Sequence, residues 1–253
     1  MSICSCGLSY KSLRRGYRTS QESIYLAPLG DSAITIEFGD KIDPCINARV
    51  IAFAETVAAQ GWVGIRDIVP TYRSVTIYFD AIQWTVSALA NRLKRLPRPS
   101  SGSSVPGGTL HTIPVLYGGD WGPDLTELAT FAGLTPTEAI RLHTSVRYRV
   151  YMLGFSPGFP YLGLVPKRLA MPRLSTPRTK VPAGSVGIAD RQTGIYPSST
   201  PGGWRLIGRT PIPLYRKTNS SPFLLKPGDL VQFQSIDRTQ FDRLSDESAY
   251  ASD

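Results

Sequence analysis

Residues 147–216 hold the groups best suited to act on an anion, with eleven Lys or Arg against one acid, Asp190. That local balance of +10 exceeds the +9 of the whole chain and points to an anionic partner or substrate. Arg173, Arg178, Lys180, Arg191, Arg205 and Arg209 supply donors that can stabilise phosphoryl oxygens without a dedicated loop, although the ordinary fate of most such charges is a solvated surface. His143 lies near the end of a helix, where the dipole favours a charged imidazole, yet a lone histidine serves structure more often than chemistry. Two serines fit a nucleophile pattern on paper. Gly154-Phe155-Ser156-Pro157-Gly158 matches G-x-S-x-G, but Pro157 lacks the N–H that an oxyanion hole takes from that position. Ala183-Gly184-Ser185-Val186-Gly187 is a looser match, and no histidine follows position 143 to complete the Ser, acid, His order. No P-loop or dinucleotide fingerprint occurs. Three cysteines, Cys4, Cys6 and Cys45, and two histidines, His111 and His143, provide neither a disulfide framework nor a typical zinc set, so no metal is expected and a reducing compartment is.

These side chains need elements to position them. Residues 1–22 carry Lys11, Arg14, Arg15 and Arg18 without an acid before Glu22 or a signal-like apolar run, and read as a basic tail outside the fold. Such a start resembles a mitochondrial transit peptide, and an extended bacterial start explains it as well; a cytoplasmic location is the expectation. Residues 23–96 alternate strands (24–27, 33–38, 65–69, 75–79) with a helix capped by Asp43-Pro44 and ended at Gly61, and a second helix over 84–96. The pattern is a small α/β sandwich, so the fold class is α+β. Residues 97–108, PRPSSGSSVPGG, read as a linker.

The second domain, 109–240, opens with a strand over 111–117 and two short helices, one from about Pro123 and one from the capping box Thr135-Pro136-Thr137-Glu138. From Arg147 onward, ten Pro and nine Gly in seventy residues alternate with eight aromatics, which excludes disorder and suggests short strands in a β-barrel or sandwich, with a late strand over 230–234. Basic residues with interleaved aromatics also fit nucleic-acid binding, but the Pro/Gly spacing describes shaped loops better than a basic stripe, so no nucleic-acid partner is expected. Residues 241–253 read as a polar C-terminal tail. No apolar run approaches 18 residues, so no membrane span is expected.

Taken together, Arg141-Leu142-His143, the run from Tyr151 to Gly163 around GFSPGFPYLG, Val181-Pro182-Ala183-Gly184-Ser185-Val186-Gly187-Ile188-Ala189, Gln192-Thr193-Gly194-Ile195-Tyr196-Pro197 and Pro201-Gly202-Gly203-Trp204-Arg205-Leu206-Ile207-Gly208-Arg209-Thr210-Pro211 resemble the family of 5-oxoprolinase B subunits, also labelled KipI, allophanate hydrolase subunit 1 or carboxyltransferase subdomains C and D. The resemblance covers residues 23–235 and implies a cyclophilin-like β-barrel after the small N-terminal domain. It implies an ATP-dependent hydrolysis of the cyclic amide 5-oxoproline, with ATP and Mg²⁺, in a complex with two partners, the KipA-like C component and the A component of the 5-oxoprolinase. Alternatives within the family are inhibition of a histidine kinase and an amide- or urea-binding carboxyltransferase role.

The cleft carried over from the family consists of His143 as acid, base or amide-orienting donor, and Phe155, Phe159, Arg178, Lys180, Ser185, Gln192, Thr193, Tyr196 and Trp204 as substrate-binding residues. Pro157, Gly158, Pro182, Gly184 and Gly203 shape the loops. Asp190 stands where the family usually has glycine, and is expected to pair with Arg191 or Arg178.

Overall fold

The computed structural model describes residues 17–18, 25–97, 108–217 and 221–250. Contacts divide the chain into two units, Met1–Ser103 and Ser104–Asp253. Most of the basic tail, most of the 97–108 linker and residues 251–253 lie outside the described residues.

In the first unit, β1 (Tyr17–Arg18), β2 (Tyr25–Pro28), β3 (Ala33–Glu37), β4 (Ile65–Pro70) and β5 (Ser74–Phe79) form an antiparallel sheet in the order β1-β2-β3-β5-β4. β1 pairs Tyr17 with Leu26 and Arg18 with Tyr25, so part of the expected tail joins the sheet. Helix α1 (Pro44–Ala58) starts where the cap predicts: Asp43 Oδ1 accepts from the backbone N–H groups of Cys45 (2.8 Å) and Ile46 (3.1 Å). Its Val50, Phe53 and Val57 bury against Ile34, Ile77 and Phe79 of the sheet. Helix α2 (Val86–Lys94) adds Leu89 and Leu93 to that core.

The second unit is a closed barrel carrying three α-helices among its described residues. Its strands are β6 (Leu110–Tyr117), then, after α3 (Leu125–Ala132) and α4 (Pro136–Thr144), β7 (Arg147–Leu153), β8 (Pro160–Gly163), β9 (Arg178–Val181), β10 (Ser185–Ala189), β11 (Gln192–Ile195), β12 (Thr200–Gly202), β13 (Arg205–Arg209) and β14 (Leu230–Ser235). The barrel runs β10-β11-β8-β7-β14-β6-β13 and closes on β10, while β12 and β9 pair as a separate ribbon. β14 runs parallel to β6, from Leu230 opposite Leu110 to Ser235 opposite Val115; the other barrel pairs are antiparallel. Closure removes the free edges that a sheet of short strands would expose. Ile113, Val150, Leu162, Val186, Ile207 and Phe233 lie in its core. Both halves of the capping box form at α4: Glu138 N–H donates to Thr135 Oγ1 (3.2 Å), and Thr135 N–H donates to Glu138 Oε2 (2.7 Å).

Where a polar tail was expected from residue 241, the chain instead forms α5 (Arg238–Tyr250). Two exposed i,i+4 pairs lie along it, Arg238 with Asp242 (2.6 Å) and Arg243 with Glu247 (3.3 Å), each adding about 0.2–0.5 kcal/mol. Phe241 meets the Trp121 ring at 6.2 Å, and the Arg238 guanidinium lies 4.7 Å from the centroid of that ring.

Candidate functional site

The loop between β7 and β8 is folded on itself by three short-range bonds: Gly154 N–H to Phe159 O (3.1 Å), Ser156 N–H to Gly154 O (2.8 Å) and Phe159 N–H to Ser156 O (3.0 Å). This forces Phe155 into left-handed backbone, φ 67°, and leaves its ring 63% exposed. Gly158 at φ 81° completes the turn. Phe159 is driven inward, where it meets Tyr161, Tyr196 and Trp204 edge-on at 5.0, 5.2 and 5.4 Å between centroids. β11 can lie against them because residue 194 is glycine: a Cβ there would sit 2.9 Å from Trp204 and 3.0 Å from Phe159.

These rings wall a pocket of about 230 Å³, together with Phe155, Arg173, Pro177 and the segment Pro201-Gly202-Gly203 at the end of β12. The Arg173 guanidinium stands 5.9 Å from the Trp204 ring centroid. Burial raises the pKa of Tyr161, opposed by the charge of Arg173. Burial also raises that of Tyr196, opposed mainly by a hydrogen bond from the Trp204 backbone N–H. Both phenols therefore remain protonated at neutral pH. The pocket offers flat apolar walls, one cation and hydroxyl groups, and its lining holds no acid, histidine, lysine or cysteine.

Of the expected site residues, the structure gathers Phe155, Phe159, Tyr196, Trp204 and Gly203 here. Pro157 and Gly158 belong to the adjoining loop, beside Phe223. Arg178 is turned to a different task. Its Nη2 donates to Asp124 Oδ1 (2.7 Å) and its Nη1 to Trp204 O (3.4 Å), while Asp124 Oδ2 accepts from Leu206 N–H (2.6 Å). That clamp ties β9 and β13 to the start of α3, and so holds Trp204 in place. Arg205 is likewise spent on Glu127 (2.6 Å). Lys180 is exposed on β9 and lines no described pocket. Ser185 is buried at the start of β10, and Pro182 and Gly184 belong to the turn before it. Gln192 sits in the β-ladder opposite Gly163 and Ala189. Arg173 has no local signal marking it out from the other cations; only its approach to Trp204, 31 positions along the chain, does so.

His143 lies inside the barrel, 1% exposed and stacked on Phe233 at 4.6 Å. Thr193 Oγ1 donates to Gly187 O (3.0 Å), so it accepts from His143 Nε2–H (3.1 Å), and Nδ1 is left to accept from the Tyr117 hydroxyl (2.9 Å). Burial lowers its pKa to about 3. The imidazole expected to be charged by the helix dipole is therefore neutral, with both nitrogens engaged. The contact fixes Thr193 of β11, next to Gly194, which packs against Trp204 and Phe159 of the pocket wall. Asp190 forms no ion pair among the described residues; its N–H donates to Met171 O (2.8 Å) and its φ is 51°. A left-handed φ explains why glycine suits that position.

A closed barrel with an aromatic pocket among its loops, preceded by a separate α+β unit, defines a two-unit α+β protein of the barrel class. More specifically, the chain belongs to the family of the carboxyltransferase domain, subdomain C and D, which it matches over residues 24–225. It is 43% identical over 231 residues to the 5-oxoprolinase B subunit of Bacillus subtilis (strain 168), covering 87% of this chain and 96% of that protein. It is 38% identical over 207 residues to the 5-oxoprolinase B subunit of Escherichia coli O157:H7, covering 81% and 93%. Among solved structures, TTHA0988 aligns with a TM-score of 0.72 and 37% identity over 81% of this chain; this chain spans only 40% of that one. Among the described residues, no helix is long and apolar enough to cross a membrane.

Proposed function

We propose that this chain is the B-type subunit of an ATP-dependent 5-oxoprolinase, presenting the aromatic pocket to the cyclic amide in a site that the C component completes and the A component serves. The observation that carries this reading is the nearly end-to-end match, 43% identical across 96% of its length, to a protein named as the B subunit of 5-oxoprolinase. The pocket is consistent with it. A planar lactam ring packs against Trp204 and Phe159, and Arg173 faces the ligand's carboxylate or amide oxygen as the single charged donor. The protonated phenols of Tyr161 and Tyr196 add neutral polar groups that orient the ring.

The general base comes from a partner protein in this reading, because the pocket lining contains no group able to accept a proton at neutral pH. The same holds for the nucleotide. Among the described residues, no group of three or more His, Cys, Asp or Glu lies together, and the sequence has no phosphate-binding loop. Mg²⁺ finds no ligand cluster among the described residues, the nucleotide is assigned in this reading to a partner protein, and no step is derived through either. His143 acts as a positioning residue for β11.

The test is ATP-dependent glutamate release from 5-oxoproline by the assembled three-component complex, for wild type and Arg173→Gln. Loss of a charge-assisted hydrogen bond of about 1.5–3 kcal/mol lowers kcat/KM at least about tenfold in a complex that still assembles. A correctly assembled wild type without turnover overturns the reading; inhibition of a histidine kinase would then be the assay to run.

A further inference from the structure

A second cavity, of about 450 Å³, opens on the other side of Tyr196, the one residue it shares with the aromatic pocket. It is bounded by the turn at 183–184, the segment 209–214 and Phe241 and Ser245 of α5. Its size suits a small molecule. The walls combine three prolines, Ile212, Leu214 and Phe241 with the hydroxyl-bearing Tyr196, Thr210 and Ser245, and the one charged residue among the described lining is Arg209. Arg209 Nε donates to Ala183 O (2.7 Å), which uses one of the five guanidinium donors. No acid among the described residues pairs with it, in contrast to Arg178 and Arg205, whose carboxylates are Asp124 and Glu127. Burial alone pulls its pKa down; no neighbouring acid raises it.

The surrounding backbone holds this arrangement open. Gly184, at φ +80°, donates its N–H to Tyr196 O (2.7 Å) and accepts from Thr210 N–H (2.9 Å), and a Cβ at Gly184 would collide with the Thr210 carbonyl. A half-buried cation without a carboxylate partner, in a cavity lined by prolines, Ile212, Leu214 and Phe241 together with the hydroxyl-bearing Thr210, Ser245 and Tyr196, leaves donors free for an anion.

We propose that this cavity binds a small organic carboxylate with an apolar body, its carboxylate on the terminal nitrogens of Arg209 and its body against Phe241 and the prolines. One guanidinium flanked by hydroxyls matches a monoanion. Inorganic phosphate, with its higher charge, would want more donors than the cavity supplies. The site shares only Tyr196 with the aromatic pocket and uses neither Arg173 nor Trp204, so it does not rest on the oxoprolinase reading.

The experiment titrates the full chain with 3-phenylpropionate, 3-phenylpropionamide and inorganic phosphate, by calorimetry and by amide chemical shifts. The carboxylate is expected to bind saturably, the isosteric amide at least about tenfold more weakly, and phosphate not at all. Arg209→Gln is expected to lose at least about tenfold in affinity, and Arg173→Gln to bind as wild type does. Arg209→Lys keeps the charge and is the control should the glutamine variant fail to fold; its expected affinity is reduced because a point charge replaces the planar fork. Equal binding of acid and amide, wild-type affinity in Arg209→Gln or Arg209→Lys, or no saturable carboxylate binding up to about 10 mM would overturn the proposal. Phosphate binding tighter than the carboxylate's would overturn it too.

Discussion

Arg178→Met separates a ligand-binding cation from a structural one. Asp124 is 6% exposed, and its two oxygens accept from Arg178 Nη2 at 2.7 Å and Leu206 N–H at 2.6 Å. Removing one member of a fully buried ion pair costs about 3–5 kcal/mol, because the other charge is stranded. The Arg178 side chain is 28% exposed and the Leu206 bond survives, so solvent screening reduces the expected cost to about 2–3 kcal/mol. For a chain of this size that lowers Tm by about 4–12 °C, read by scanning calorimetry on the intact protein. Asp124→Asn combined with Arg178→Met removes the stranded charge and keeps an acceptor for Leu206 N–H. The double variant should therefore recover about 1–2 kcal/mol relative to the sum of the single ones. A fall in Tm of less than about 1 °C for Arg178→Met, the behaviour of a surface charge, would refute the clamp.

His143 gives a pH signature. Its native pKa of about 3 lies below the unfolded value near 6.5, so only the unfolded chain binds the proton between them. The stability it confers is fully present above about pH 6.5 and is lost as pH falls towards 3, by up to about 1.4 kcal/mol per unit. Urea unfolding should therefore show the gap between wild type and His143→Gln narrowing from neutral to acidic pH, and parallel pH profiles would contradict the buried neutral ring. Gly184→Ala should cost roughly 1–3 kcal/mol in thermal unfolding, from the left-handed φ and the collision with Thr210, and a loss below about 0.5 kcal/mol would argue against the tight turn. Phe155→Ala, at a 63% exposed ring, should leave stability within about 1 kcal/mol and raise KM for the cyclic amide in the assembled complex; an unchanged KM would remove Phe155 from the pocket wall.

Local signals read from the sequence correspond closely to local structure. The Asp43-Pro44 start of α1 and the Thr135/Glu138 capping box rest on side-chain to backbone bonds two or three residues apart, and such bonds need nothing from the rest of the fold. The closed barrel and four of the pocket rings are legible in the ordered motif blocks and not in periodicity, since strands of three to eight residues between turns carry little pattern of their own. α5 escapes a reading of the sequence because only Phe241 and the Arg238 stem anchor its start to Trp121, so its apolar signal is sparse. The charge of His143 is misjudged from sequence because the dipole of α4 is a local effect. The groups that desolvate it and engage its nitrogens come from 26 and 50 positions away, and tertiary burial outweighs a terminal dipole.

The same distinction reinterprets the +10 of residues 147–216. Arg178 and Arg205 are neutralised by Asp124 and Glu127, acids that lie outside that window in sequence and so are absent from its count. Arg168 donates to the carbonyls of Ala132 (3.2 Å) and Gly133 (3.0 Å), where α3 ends and cations are favoured. Of the cations that line the described cavities, Arg173 stands against the aromatic walls, Arg209 lies beneath α5, and Arg216 borders a third cavity beside Phe223. A broad basic stripe would bind a polyanion with a steep salt dependence. Under the two proposals, separated single cations set among rings, prolines and hydroxyls would instead select small ligands that carry one negative group.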